Sequence, residues 1–125
     1  MRTENQIKNL PEFKKLIERY ETITIDEIDE SNLDINVLTG FGSCHSCNLC
    51  KGAGYPKMGF CFNCVWGEIE KVTMDNLTSP CFIGKNKRTY NAIDNADSTE
   101  ELLTAYRNRA KHMRSILKKL NIEMP

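Results

Sequence analysis

Apolar residues recur along this chain at helical spacing. Phe13, Leu16, Ile17 and Tyr20 fall at i, i+3, i+4 and i+7 behind Pro11, and predict a first helix over residues 11–20. Thr24 and Glu27 stand at capping-box spacing and predict a short helix over 25–31. The alternation of Ile23 and Ile25 makes a strand the rival reading there. A further short helix is expected over 89–96, with Tyr90, Ile93 and Ala96 facing inward. The clearest element begins at Ser98, which forms a second capping box with Glu101. Leu102, Tyr106, Ala110, Met113, Ile116, Leu117 and Leu120 then keep a three-to-four spacing, and Lys118 and Lys119 complement the dipole of the last turn.

Between these helices the periodicity lapses. Residues 32–43 lead into a cysteine-rich stretch through Gly40 and Gly42, which tolerate unusual dihedrals. Residues 44–64 read as irregular, with short turns or a small β-hairpin. The pattern over 65–72 fits a strand or a helical turn, and 73–81 reads as a loop ending in Ser79-Pro80-Cys81. The expected fold class is therefore mainly α: an irregular zinc-knuckle region (44–81) flanked by an N-terminal helical segment (1–43) and a C-terminal one (82–125), together forming one domain.

Five of the six cysteines lie within residues 44–64, as Cys44-x-x-Cys47-x-x-Cys50 and Cys61-x-x-Cys64. A Cys-x-x-Cys turn supplies two thiolates from one bend. Two such turns a short loop apart can close a tetrahedron around Zn²⁺. The best quartet is Cys47, Cys50, Cys61 and Cys64, with Cys81 the first substitute and Cys44 the second. Cys44-x-x-Cys47-x-x-Cys50 with a distant Pro80-Cys81 would also suit an iron–sulfur cluster, and six thiolates could bridge two zinc ions. His45 reads as an exposed loop histidine. Trp66, Phe60 and Phe62 flank the second knuckle and are expected to pack as its apolar shell. With 40% hydrophobic residues the core is modest, so a structural metal would add materially to folding.

Residues 47–54 read Cys-Asn-Leu-Cys-Lys-Gly-Ala-Gly. This unit resembles the zinc modules of DnaJ-type chaperones and anti-TRAP. After Cys64, however, Val65-Trp66-Gly67-Glu68 lacks the paired glycines, and no chaperone role follows. Over residues 38–117, Leu38-Thr39-Gly40-Phe41-Gly42, Cys-Asn-Leu-Cys, Cys-Phe-Asn-Cys, Pro-Cys, Thr89-Tyr90-Asn91-Ala92-Ile93 and Glu100-Glu101-Leu102-Leu103 together look like short cysteine-rich proteins of tailed bacteriophages and prophages. That resemblance implies action in the cytoplasm of a bacterial host and implies no particular activity.

Formal net charge is zero, with 17 Lys/Arg against 17 Asp/Glu, yet the charge is segregated. Residues 1–43 hold five basic and nine acidic residues, and residues 82–125 hold nine basic and five acidic. Neither a signal peptide nor a membrane span is evident, so a reducing compartment is expected. No nucleophile motif, zinc-deaminase signature or phosphate loop occurs, and four-thiolate zinc is coordinatively closed, which argues against an enzyme. The expected role is binding. The acidic stretch Glu18, Glu21, Asp26, Glu27, Asp29, Glu30 and Asp34 suggests a basic protein partner, whose modulation would be the function. The alternative is nucleic acid, held by Lys85, Lys87 and Arg88 with Arg107, Lys111, Arg114 and Lys118 along one face of the last helix, beside Arg109 and Lys119. Homodimerisation through the apolar stripe is a further option.

Overall fold

The computed structural model describes residues 6–31, 52–54, 60–71 and 80–124. Cys44, His45, Cys47, Cys50, the glycines at 40 and 42 and most of the expected hairpin region lie outside them. The described residues are mainly helical, as expected, and no strand occurs among them. The helices with described bounds are, in order, α1 Leu10–Thr22, α2 Ile25–Ser31, α3 Val65–Ile69, α4 Gly84–Asp94 and α5 Thr99–Lys119. Short 3-10 turns precede α3, at Phe60–Asn63, and α4, at Pro80–Phe82.

Helix α5 is the spine, and α1, α2 and α4 all pack on it. Every residue of its expected apolar stripe, from Leu102 to Leu120, is buried. Half of its capping box forms: the Ser98 hydroxyl accepts from the Glu101 amide at 3.1 Å, while the Glu101 carboxylate reaches the Asp97 amide rather than that of Ser98. Helix α1 presents Phe13, Leu16, Ile17 and Tyr20 to α5, and Tyr20 stacks on Tyr106 with ring centroids 5.2 Å apart. The chain is helical from Ile25 onward, not a strand, and the Glu27 amide donates to the Thr24 hydroxyl at 3.3 Å.

Polar contacts fix how α1 and α2 meet α5. Arg107 donates to the carbonyls of Tyr20 at 2.5 Å and Ile23 at 2.7 Å. It thereby satisfies acceptors at the end of α1, where a cation also complements the helix dipole. Arg114 clamps the Glu21 carboxylate with two donors, one of them at 2.8 Å, and the guanidinium holds that carboxyl below its usual range. Thr99 donates to Asp29 at 2.5 Å, and Arg19 pairs with Glu27 within its own neighbourhood at 2.9 Å.

Helix α4 begins five residues before the expected boundary and ends two residues short of it. Its inward residues in the early turns are Asn86 and Thr89, so hydrophobic periodicity does not register them. Ile93 is buried as expected, whereas Tyr90 and Ala96 are half-buried. Asn86 is the hub of a buried polar network. Its amide nitrogen donates to the Pro80 carbonyl at 2.9 Å and to Glu70 at 3.1 Å. Those partners can only accept, so the Asn86 side-chain oxygen faces His112, whose Nε2–H donates to it at 2.7 Å. Arg109 Nη1 donates to the Asn86 carbonyl at 2.6 Å and to the Thr89 hydroxyl at 2.8 Å.

This network makes stability acid-sensitive. Burial, and then the charges of Arg109, Lys85, Lys119 and Arg88, push the His112 pKa from its ordinary 6.5 down to about 4. Between those values the unfolded chain takes up a proton that the folded chain refuses. The contribution of neutral His112 is therefore complete above pH 6.5 and is lost as pH falls toward about 4. Urea midpoints measured against pH should drop across this window, at near-constant m-value. His112→Gln should flatten that drop while lowering stability at neutral pH.

Candidate metal centre

The second Cys-x-x-Cys unit lies within the described residues. Residues Phe60–Asn63 turn tightly and the Cys64 amide donates to the Cys61 carbonyl at 3.2 Å, which brings both thiols to one bend. Burial first, and the neighbouring Cys61 last, disfavour the anionic form of Cys64. Cys64 is buried and occupies the N-cap position of α3, whose opening residues Val65, Trp66 and Gly67 are buried too.

Asn9 organises this bend from the start of α1. By position it is the N-cap of that helix, yet its side chain makes no capping bond. Its amide nitrogen donates to the Cys64 sulfur at 3.0 Å, and its oxygen accepts from the Val65 amide at 2.9 Å. Asn9 is 0% exposed, so both bonds form away from water. The amides of Trp66 and Gly67 also favour the anionic form of Cys64, acting as dipoles of the first turn of α3 that lack full capping geometry.

The thiol at this point is in electrostatic conflict. Burial pushes the Cys64 pKa up to about 11, against the opposing pull of Asn9 and the two amides. Donors aimed at a sulfur are of most use to a thiolate, while a buried thiolate without a cation is costly. A divalent ion at the sulfur would remove the conflict: it would favour the thiolate, and the donors would then serve as its outer support.

The residues that follow Cys50 meet the same ground. Ala53 is fully buried, and its carbonyl accepts from the Asn63 side chain at 3.3 Å, tying this segment to the second knuckle. A Cβ on Gly52 would lie 3.2 Å from the Glu12 carboxyl carbon and 3.3 Å from Asn9 Cβ, so glycine permits the close approach of this segment to α1. Gly54 has φ +117°, a conformation that favours glycine. Both glycines of the Cys-x-x-Cys-x-Gly-x-Gly unit thus have a local steric reason.

Trp66 connects the knuckle to the helical core. It meets Phe13 edge-on at 5.0 Å, stacks nearly parallel to His112 at 5.7 Å, and lies under the Arg109 guanidinium at 4.6 Å. Trp66 is thus packed, only 2% exposed, against the helical core, while the side chains of Phe60 and Phe62 lie outside those described.

Among the described residues, Cys61 and Cys64 are the metal-type donors brought together. No group of three His, Cys, Asp or Glu side chains able to hold an ion occurs among them. Cys81, on the Pro80–Phe82 turn, is thus not grouped with that pair. It is half-buried in the surroundings of Arg109, whose charge its own would favour. No disulfide joins Cys61, Cys64 and Cys81 to one another. Asn9 escapes a sequence reading because no motif contains it, and its position before Pro11 suggests only a helix cap.

The residues expected to contact nucleic acid separate into two groups. Arg107 and Arg114 are held by α1, as described above. Lys85, Lys87, Arg88, Lys111 and Lys118 are exposed on α4 and α5. Arg109, beside them in sequence, is 4% exposed and belongs to the buried network.

Comparison with protein-family models, curated proteins and solved structures finds no match to this chain.

Asn9→Ala should leave the helices in place and weaken metal retention. Loss of a hydrogen bond to a coordinating sulfur costs about 10- to 100-fold in affinity. Competition against a chromogenic chelator should show that loss, while circular dichroism of the metal-loaded variant stays near wild type.

Proposed function

We propose that this is a non-enzymatic, zinc-clamped helical protein that works by presenting its surface to a macromolecule. The observation that carries the reading is the buried Cys64 sulfur, with the Asn9 amide aimed at it and Cys61 on the same bend. Cys61 and Cys64 supply half of the tetrahedron. The tie from Asn63 to Ala53, three residues after Cys50, supports Cys47 and Cys50 as the other half, and the separation of Cys81 from the pair argues against its substitution. A closed four-thiolate centre would be structural: it would clamp the 52–54 segment and α3 onto the start of α1.

A protein partner for the acidic stretch remains part of the proposal, on a reduced surface. Glu21, Glu27 and Asp29 already serve Arg114, Arg19 and Thr99. Glu18, Asp26 and Glu30 remain as exposed carboxylates on α1 and α2. Modulation of a host or phage protein in a bacterial cytoplasm is the setting that the phage resemblance suggests. No helix among the described residues is long and apolar enough to cross a membrane.

Metal analysis of protein purified without added metal tests the central claim. About one zinc per chain is expected, in colourless protein whose thiols react quantitatively with a thiol reagent only after chelation. Brown protein would mean an iron–sulfur cluster. Metal-free protein that keeps its fold in chelator, or thiols paired as disulfides, would overturn the reading.

A further inference from the structure

The charged surface of the helical hairpin α4–α5 is partitioned in a way the sequence does not display. On α4, Lys85 and Arg88 are three residues apart and share one side of the helix. On α5, Lys119 lies one heptad beyond His112 and so extends the same side of that helix. The two helices pack together through Asn86, Thr89, Arg109 and His112, which places these three side chains along one edge of the hairpin. All three are exposed. Their fields converge: Lys85, Lys119 and Arg88 each disfavour protonation of His112, together with the buried Arg109 beneath.

Among the described residues, none of these three takes part in an ion pair. The ion pairs there are Arg19–Glu27 and Arg114–Glu21, both on the α1 side of α5. The first turn of α4 carries no acidic residue and no side-chain cap, so its amide dipoles add positive potential at the same end. Glu70, half-buried, reaches this region through Asn86, whose amide nitrogen it accepts from.

We propose that the edge formed by Lys85, Arg88 and Lys119 is a docking surface for the phosphate backbone of a nucleic acid. Three cations borne by two helices that pack on each other gather positive charge along one edge, which suits phosphates. Neither Arg107 nor Arg114 belongs to this surface, since both are committed to α1. The contact is electrostatic and carries no base readout, so it positions the protein on nucleic acid without regard to sequence. It stands independently of the metal centre.

Fluorescence anisotropy of the zinc-loaded full chain with labelled duplex and single-stranded DNA tests this, across a range of salt. The expected log–log slope of affinity against salt is about −3 for duplex, from three phosphates at about −0.9 each. Lys85→Gln/Arg88→Gln/Lys119→Gln should bring the slope near zero. Each single substitution, at an exposed position, should reduce it by about 1, so the test survives if the triple variant folds poorly. Lys8→Gln/Lys14→Gln/Lys15→Gln makes the same change in net charge on α1 and its approach, and should leave the slope unchanged. Zinc content and circular dichroism of each variant separate loss of this surface from loss of the metal centre. No binding at low salt, or equal loss in the Lys8/Lys14/Lys15 control, would overturn the proposal. Competition by polyglutamate as effective as that by DNA would overturn it in favour of an acidic protein partner.

Discussion

A sulfur removed from water must either keep its proton or find a cation, and at Cys64 burial and the donors aimed at the sulfur pull in opposite directions. Asn9 donates to that sulfur and accepts from the next residue's amide, so one side chain fixes both the ligand and the entry to α3. Because Asn9 also sits at the head of α1, the same two bonds set where the knuckle stands relative to the helical core. Trp66 then carries that placement inward to Phe13 and His112. The metal proposal and the fold are thus joined through a handful of atoms. A displacement of Asn9 would be felt at Cys64, at Val65 and at the glycine segment pressed against it.

The remaining helices depend on a different kind of contact. Arginine, not aliphatic packing alone, determines how α1 and α5 register. Arg107 takes the terminal carbonyls of α1, and Arg114 takes Glu21 about two turns further along α5. Arg109, between them in sequence, turns the opposite way and enters the α4 interface, where it is enclosed by Trp66, Tyr90 and Thr89. The three arginines follow from the helical period: Arg107 and Arg114 are a heptad apart and face α1, while Arg109 is rotated about 200° from Arg107. A single helix can therefore bind two unlike neighbours with the same side-chain chemistry.

Much of the helical framework was legible in the sequence because it is written in apolar residues at helical spacing. The stripes of α1 and α5 and the hydroxyl caps at Thr24 and Ser98 all appear where the pattern places them. What escaped is polar and buried. The first two turns of α4 turn Asn86 and Thr89 inward, and α5 buries Arg109 and His112, residue types that ordinarily mark a solvent face. Helix α3, at five residues, is too short for periodicity to separate it from a strand. For the candidate centre, the knuckle spacing named Cys61 and Cys64, but Asn9 lies 55 residues from Cys64 and no local rule links them. The basic stripe of α5 was visible as a stripe. That two of its arginines serve α1 is a tertiary fact, which depends on where the end of α1 comes to rest.

The chain contains a single tryptophan, and it is the residue that joins the knuckle to the core. Trp66 lies two positions after Cys64, stacks on His112 and is capped by Arg109. Its indole emission therefore has one origin and one set of neighbours. Changes at the sulfur, in the imidazole's protonation or in the seating of α4 against α5 all act on the same chromophore. The molecule carries an intrinsic optical gauge at the junction of its two halves, readable without any label.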